Sequence, residues 1–280
     1  MYAVERSRHE RLFLMREALA TKGKVYLIGA GPGAADLLTL RAARVLASAQ
    51  VVLVDALVDR AVLDHCTADA RIVHVGKRAR CRSTPQAFIQ RLMWRHARQG
   101  RVVARLKGGD PCVFGRGGEE AEFLSARGIA VEIVPGLTAG LAIPASLGIP
   151  VTHRRVSRGV TLLTGHASDG AEPNWCALVQ SRTTLAVYMG LQRLEHIARQ
   201  LMAAGMSNAM PAAVIAQGTL PGERCVLAPL GEIAAAAAAA ALYSPALIVV
   251  GEVVAMRARR TSCADSLGSA TAQHSREATR

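Results

Sequence analysis

Aromatic side chains are scarce, at 4% of the 280 residues. Proteins that hold single-stranded nucleic acid stack bases on aromatic rings, so this scarcity argues against that class. Metal-ligand spacing is also missing. The six cysteines (Cys66, Cys81, Cys112, Cys176, Cys225 and Cys263) form no CxxC pair, and no two histidines stand at HxxxH spacing, so no metal site is expected. Scattered cysteines without a secretory signal fit a reducing compartment. Residues 5–17 mix Glu with Arg around the short apolar run Leu12–Met15, unlike a signal peptide. The alanine-rich stretch Ala234–Ala241 is too short to span a bilayer. A soluble, cytoplasmic protein is expected, with no membrane partner. Lysine is nearly absent: Lys22, Lys24, Lys77 and Lys107 are the only four, and the other basic residues are all arginine.

Hydrophobic residues make up 51% of the chain, enough for extensive cores, and the length suits two domains of ordinary size. Thirty-four Lys and Arg against 21 Asp and Glu give a net charge of +13. Such a surplus suits a polyanionic partner: nucleic acid, an anionic membrane surface or a multiply acidic small molecule. A compositional bias toward Arg and Ala gives the same numbers without a partner. Residues 1–23 carry +2 and residues 257–280 carry +3, so +8 lies between them.

Structure is expected to begin near Lys24, after a charged helix over residues 2–21. Apolar runs at Val25–Ile28, Val51–Val54, Arg71–Val75, Val102–Leu106 and Ala130–Val134 predict strands. Helices are predicted between them. One runs from about Asp36, as N-cap, to Ala49. One opens at Thr84 as cap with Pro85 in first position and closes at Gly100. One lies over Gly118–Arg127. Uniformly apolar strands alternating with helices predict a parallel-dominated sheet covered on both faces. A second unit of the same style is expected after His153. Its strands are placed at Val160–Thr164, Leu185–Met189, Ala212–Ala216, Cys225–Ala228 and Ala246–Val250, and its helices near Leu191–Ala204 and Glu232–Tyr243. The junction is placed near residues 137–156, where Pro144 and Pro150 stand, and disorder is expected after Met256.

Two glycine loops carry the chemistry. Gly29-x-Gly31-x-x-Ala34 follows a strand and precedes a helix, and Asp55 ends the next strand. That pattern matches a dinucleotide fingerprint; it also suits another nucleotide-like ligand, or a tight turn that needs glycine for geometry alone. The second loop, in the stretch Arg105–Glu120, holds five glycines and Asp110. A dinucleotide fold needs no second, denser glycine loop, and loops at the carboxyl ends of parallel strands are where open α/β sheets bind ligands.

GAGPG…DLLTLRA, VVLVDALV, VGKR, RLKGGDPCVFGRGGEE, VPGLTAGLA, GIPVTHR, TGH, VYMGL and AQGT follow one another in order between about Gly23 and Val254. In this series the chain resembles the tetrapyrrole methylase family, and VGKR, YMG and the GGDP loop resemble its uroporphyrinogen-III C-methyltransferases in particular. The resemblance implies two α/β domains of the class III methyltransferase fold, over residues 23–137 and 138–256, with the active site in the cleft between them. Residues 1–22 and 257–280 are then appendages. It implies S-adenosylmethionine as cofactor, S-adenosylhomocysteine as its product, no metal, a homodimer, and two methylations, on rings A and B of uroporphyrinogen III, giving precorrin-2 for siroheme or cobalamin.

The resemblance also implies roles residue by residue. Asp55 corresponds to a proton acceptor and Lys77 to a proton donor. Pro32, Gly108, Gly109, Asp110, Val113, Thr138, Ala139, Met189 and Gly218 correspond to cofactor contacts. The substrate's eight carboxylates need cations, for which Arg78, Arg116, Arg154 and Arg155 are candidates. His153 and His166 lie in matched segments, where packing is as good an account as catalysis. Four departures stand out: Ala56 where the family has Arg, Arg82 before Ser83 where it has His, Gln90 for Asn and Cys112 for Phe. They bear on substrate gripping and leave the cofactor loops nearly intact. Two other classes compete with this reading: a dinucleotide oxidoreductase, from the first loop, and an RNA-binding or RNA-methylating protein, from the charge.

Overall fold

The computed structural model describes residues 23–76, 84–166 and 170–257. The helix expected over residues 2–21 and most of the tail expected to be disordered lie outside them. The chain divides into two compact units, one ending at Thr138 and the next beginning at Ala139.

The first unit is built on five strands: β1 (Lys24–Gly29), β2 (Val51–Val54), β3 (Arg71–His74), β4 (Val103–Lys107) and β5 (Ala130–Val134). They lie in the order β3-β2-β4-β1-β5, and every pairing is parallel. Side chains alternate between the two faces of a strand, so each apolar strand feeds two cores. Val25, Leu27, Val51, Leu53 and Val103 pack against helices α2 (Gln86–Ala97) and α3 (Gly117–Ser125) through Ile89, Met93 and Leu124. Ile28, Val52, Val54, Ala104 and Leu106 pack on the other face, against Ala42 and Leu46 of helix α1 (Leu40–Leu46) and Val62 of a 3₁₀ turn at Arg60–His65.

The strand order sets where the loops go. From β1 the chain passes over β4 to reach β2, and from β4 it passes over β1 to reach β5. The two connections leave neighbouring strands in opposite directions, so a switch point forms at the carboxyl ends of β1 and β4. The two glycine loops emerge there. Gly109 donates its N–H to the Gly31 carbonyl at 2.6 Å, and Gly31 donates to the Gly109 carbonyl at 3.2 Å. The backbones meet so closely that a Cβ on Gly136 would fall 2.3 Å from the Gly109 oxygen, and one on Gly29 would fall 2.5 Å from it.

The expected caps differ from those found. Helix α1 starts at Leu40, with the Thr39 hydroxyl accepting from the Ala42 N–H at 3.2 Å. Asp36 sits in a separate 3₁₀ turn, because Leu38 and Thr39 are extended and interrupt the helical path. Helix α2 starts at Gln86. Pro85 is extended and occupies the cap position itself, its carbonyl accepting from Phe88 and Ile89, which leaves Thr84 outside the helix.

The second unit departs further from expectation. Its strands are β6 (Val160–Thr164), β7 (Thr184–Tyr188), β8 (Pro211–Ala216), β9 (Arg224–Pro229) and β10 (Ala246–Val250), in the order β6-β7-β10-β8-β9. Only β6 and β7 pair in parallel; the other three pairings are antiparallel. The expected repeat of the first unit's parallel style is therefore corrected. A loop of residues 217–223 joins β8 to β9 as a hairpin, and a hairpin connection forces antiparallel pairing. One face carries helices α6 (Leu194–Ala203) and α7 (Ile233–Ala239). The other carries helix α4 (Ala139–Ser146) and a 3₁₀ turn at Glu252–Ala255. Helix α4 occupies the stretch expected as a junction, with Pro144 inside it and buried. A short helix, α5 (Trp175–Gln180), was also not foreseen. Among the described residues no helix is long and apolar enough to cross a membrane.

Leu53 is fully buried in the first core. Leu53→Ala is expected to cost about 3 kcal/mol, read as a lower urea midpoint. Gly136→Ala, which drives a Cβ into a carbonyl, is expected to lower the melting temperature by several degrees. By contrast, a Cβ on Gly118 in α3 meets nothing within 4 Å. Gly118→Ala is expected to leave the melting temperature unchanged or raise it, since alanine favours a helix by roughly 0.5–1 kcal/mol over glycine.

Candidate functional site

Asp55 follows β2 directly, and period-two alternation carries its side chain to the face of Val51 and Leu53. Its Oδ1 accepts from the Ala56 N–H at 2.7 Å. Its Oδ2 lies 3.7 Å from the Arg105 guanidinium, and the side chain is 34% exposed, so the carboxylate is paired on one side and reachable on the other. Gly76 packs directly on Ala56: a Cβ there would fall 2.0 Å from the Ala56 nitrogen. The segment leading to Lys77 therefore starts beside Asp55. Lys77 itself, with Arg78, Arg82 and Cys81, lies outside the described residues.

The same alternation places Arg105 and Lys107 of β4 on the face of Val103, where α3 brings Glu120. Glu120 is completely buried. It accepts from Arg105 Nε at 3.3 Å, from Lys107 Nζ at 3.2 Å and from Gln86 Nε2 at 2.8 Å. Arg105 is 3% exposed and also donates to the carbonyls of Leu53 and Leu106. Burial, and then the neighbouring Arg105, push Lys107 below the usual lysine range. Two cations and two carboxylates thus balance in one cluster under the ends of β2 and β4. Removing one partner of such a buried pair typically costs about 3–5 kcal/mol. The sequence reading passed over this cluster. The available signal was two basic residues at alternate positions of an apolar strand, since buried charges must be paired.

The second glycine loop is pinned by Asp110. Its Oδ1 accepts from the Cys112 N–H at 2.8 Å and its Oδ2 from the Gly136 N–H at 3.0 Å. Gly108 lies against Leu57, whose Cβ would stand 2.9 Å from an added Cβ. Pro32 and Val113 are half-buried in the two loops, and Thr138 is buried at the end of the unit. Pro32, Gly108, Gly109, Asp110 and Val113 thus belong to two loops joined through Gly31 and Gly109. Arg116 caps α3 in the left-handed conformation and grips Glu119 with two parallel bonds, of 2.9 and 2.6 Å. That pairing raises Arg116 and lowers Glu119 from their usual ranges. Gln90, one of the departures, donates to the Glu119 carbonyl at 3.3 Å and ties α2 to the start of α3.

In the second unit Ala139 opens α4. Met189 follows β7, exposed, with a φ of 54°, and Gly218 follows β8 between Gln217 (φ 53°) and Thr219 (φ 67°). Left-handed backbone is uncommon for such residues and clusters at functional sites. Gly218 is buried against Ile143, 2.6 Å from where its Cβ would be. Arg154 lines a cavity of about 520 Å³ together with Thr152, His153, Ser157 and Arg158. Arg155 is exposed beside it and donates its backbone N–H to His153 Nδ1 at 3.3 Å. His153 also exchanges two backbone bonds with Ser157, and His166 accepts from and donates to Thr164 through its backbone; both histidines thus shape their turns. Among the described residues there is no cluster of three or more His, Cys, Asp or Glu that could hold a metal.

The strand order decides against the dinucleotide fingerprint. In that fold the acid at the end of the second strand reaches a ribose because the second strand adjoins the first. Here β4 separates β2 from β1, which moves Asp55 about two strand spacings, roughly 10 Å, from the first glycine loop's strand.

The residues best suited to S-adenosylmethionine are those of the two joined loops. They offer closely approached, side-chain-free backbone at the switch point, which fits a zwitterionic nucleoside held largely by main-chain groups.

The model of the Tetrapyrrole (Corrin/Porphyrin) Methylases family matches residues 24–234. A uroporphyrinogen-III C-methyltransferase of Pseudomonas aeruginosa is 57% identical over 231 residues, covering 82% of this chain and 94% of that protein. A siroheme synthase of Acinetobacter baylyi is 46% identical over 244 residues, and these span 87% of this chain but 53% of that longer protein. The crystal structure of uroporphyrin-III C-methyl transferase from Thermus thermophilus complexed with S-adenyl homocysteine matches with a TM-score of 0.71 at 43% identity, covering 83% of this chain and 99% of that one. The match to the family model runs through both units, and on it the chain belongs to the tetrapyrrole methylase family.

Proposed function

We infer that the protein is a methyltransferase that uses S-adenosylmethionine to methylate uroporphyrinogen III on carbon, at rings A and B, giving precorrin-2. The observation that carries this reading is the pair of glycine loops joined at the switch point, in a chain 57% identical to a uroporphyrinogen-III C-methyltransferase over 231 residues. We propose further that it works in the cytoplasm as a homodimer and serves siroheme or cobalamin synthesis. The activities of the longer siroheme synthase outside the matched half are not carried over.

When bound, S-adenosylmethionine supplies a methyl group on a sulfonium sulfur and leaves as S-adenosylhomocysteine. A reduced pyrrole is electron-rich at its β-carbon, so the residues need to align it and exclude water, without activating a separate nucleophile. The candidate cofactor contacts that the family resemblance implies are Pro32, Gly108, Gly109, Asp110, Val113 and Thr138 in the first unit and Ala139, Met189 and Gly218 in the second. Methylation shifts the macrocycle's double bonds and releases a proton. Asp55, half-exposed beside Arg105, accepts it, and Lys77 is the candidate donor for a proton taken up by the macrocycle as its double bonds rearrange. Arg78, Arg116, Arg154 and Arg155 would bind substrate carboxylates. Arg116 does so by exchanging Glu119 for a substrate group, whereas Arg154 stands with His153 and Arg158 on a cationic cavity. The net +8 between the two terminal segments suits an eightfold acid.

Uroporphyrinogen III incubated with labelled S-adenosylmethionine is expected to gain two methyl groups per macrocycle by mass. No transfer, with calorimetry showing NADPH bound in place of S-adenosylmethionine, would refute the reading. Asp55→Asn is expected to lower kcat about 100-fold or more while S-adenosylmethionine binds by calorimetry as it does to wild type. A matching loss of cofactor affinity would make Asp55 structural.

A further inference from the structure

The cluster around Glu120 is a group of buried charges among the described residues that the proposed chemistry leaves unused. Asp55 by itself is poorly constrained. Its Oδ1 is held by the adjacent Ala56 N–H, but among the described residues no hydrogen bond fixes the plane of the carboxylate from across the sheet; its cross-sheet neighbour is Arg105, at 3.7 Å. That separation is an ion-pair distance and too long for a hydrogen bond. Arg105, in contrast, is held on three sides. Its Nε donates to Glu120 and its Nη1 to the carbonyls of Leu53 and Leu106, which fixes the fork and leaves Nη2 aimed at Asp55. Glu120 is fixed in turn by Lys107 and Gln86, from β4 and α2.

We propose that Arg105, clamped by the buried Glu120 carboxylate, is a positioning residue for Asp55: its guanidinium holds the Asp55 carboxylate in the orientation from which it accepts the substrate's proton. Neither Arg105, at 3% exposed, nor Glu120, at 0%, can touch a substrate, so both act only through Asp55. Lys107 holds the other oxygen of the Glu120 carboxylate, at 3.2 Å, so the clamp is fixed from both sides. The proposal rests on Asp55 being the proton acceptor.

A double-mutant cycle tests it, with methyl transfer to uroporphyrinogen III as the readout. Arg105→Lys keeps the buried charge but loses the fixed fork. In the wild-type background it is expected to lower kcat about tenfold, with KM for both substrates within about twofold; in the Asp55→Asn background it is expected to change kcat by less than about twofold, because the group it positions is gone. Glu120→Asp moves the clamp from its other end and is expected to show the same pattern, so it carries the test if Arg105→Lys does not fold by circular dichroism. Equal losses in both backgrounds would overturn the proposal, as would a rise in KM for S-adenosylmethionine at constant kcat. An Asp55→Asn enzyme at full speed would instead overturn the assignment of Asp55, and the positioning role with it.

Discussion

A carboxylate with no access to water, Glu120, ties the first unit's chemistry to its fold. It sits between Arg105 and Lys107 and accepts a third bond from Gln86, so helices α2 and α3 and strand β4 converge on one pair of oxygens. Desolvated charge of this kind is costly unless every partner is in place. The strand alternation that points Val103 into the core leaves no other place for Arg105 and Lys107, so the helices must dock where Glu120 meets them. Asp55 then lies on the same face by the same alternation, two residues beyond Leu53. Neighbouring strands fix its distance to Arg105, and no loop can vary it.

Backbone approach does for the glycine loops what charge does for the face of Asp55 and Glu120. Gly29, Gly109 and Gly136 touch at distances that exclude any side chain, and two reciprocal bonds join Gly31 to Gly109. The glycines remove bulk at the point where the connections from neighbouring parallel strands leave in opposite directions, and Asp110 then locks the loop from both of its oxygens. Rigid backbone at a switch point offers ordered main-chain groups to a ligand at low entropic cost, since little is left to freeze on binding.

Much of this was legible in the sequence, and the reason differs from element to element. Ala130–Val134, Val160–Thr164 and Ala246–Val250 match the observed strands to the residue because short, largely apolar and β-branched runs bounded by turn residues have few alternatives. Caps were misplaced at Asp36 and Thr84 because several residues near each helix start can accept a backbone N–H, and only the local dihedral angles choose among them. The three antiparallel pairings of the second unit do not show in the sequence because periodicity does not report strand direction. The hairpin between β8 and β9 was the available clue. In the first loop the motif suggested an acid poised for a ribose; only the pairing of β2 with β4 showed that Asp55 belongs to a different group of residues. The Glu120 cluster is hard to read from sequence because a Glu in a run such as Glu119-Glu120-Ala121-Glu122 is ordinarily solvated, and its burial follows from contacts between elements far apart in sequence.

Strain supplies the remaining link between fold and function. Among the described residues seven non-glycine residues adopt left-handed backbone; Arg182 and Ala241 end helical segments, and the other five lie in loops that follow strands, Phe114 and Arg116 after β4, Met189 after β7, and Gln217 and Thr219 after β8. Each costs on the order of 1 kcal/mol or more, which packing elsewhere must offset. A surface loop free of function would relieve such strain by accepting glycine or asparagine, which adopt this conformation readily. Here β-branched, aromatic and long side chains stand at those positions. Arg116 illustrates what the unusual angle achieves. A left-handed residue at the head of α3 turns its guanidinium back along the first turn of the helix, onto Glu119, with two parallel bonds on the exposed surface. An arginine held this way has its guanidinium fixed at the exposed head of the helix, so the strained cap sets where this positive charge stands.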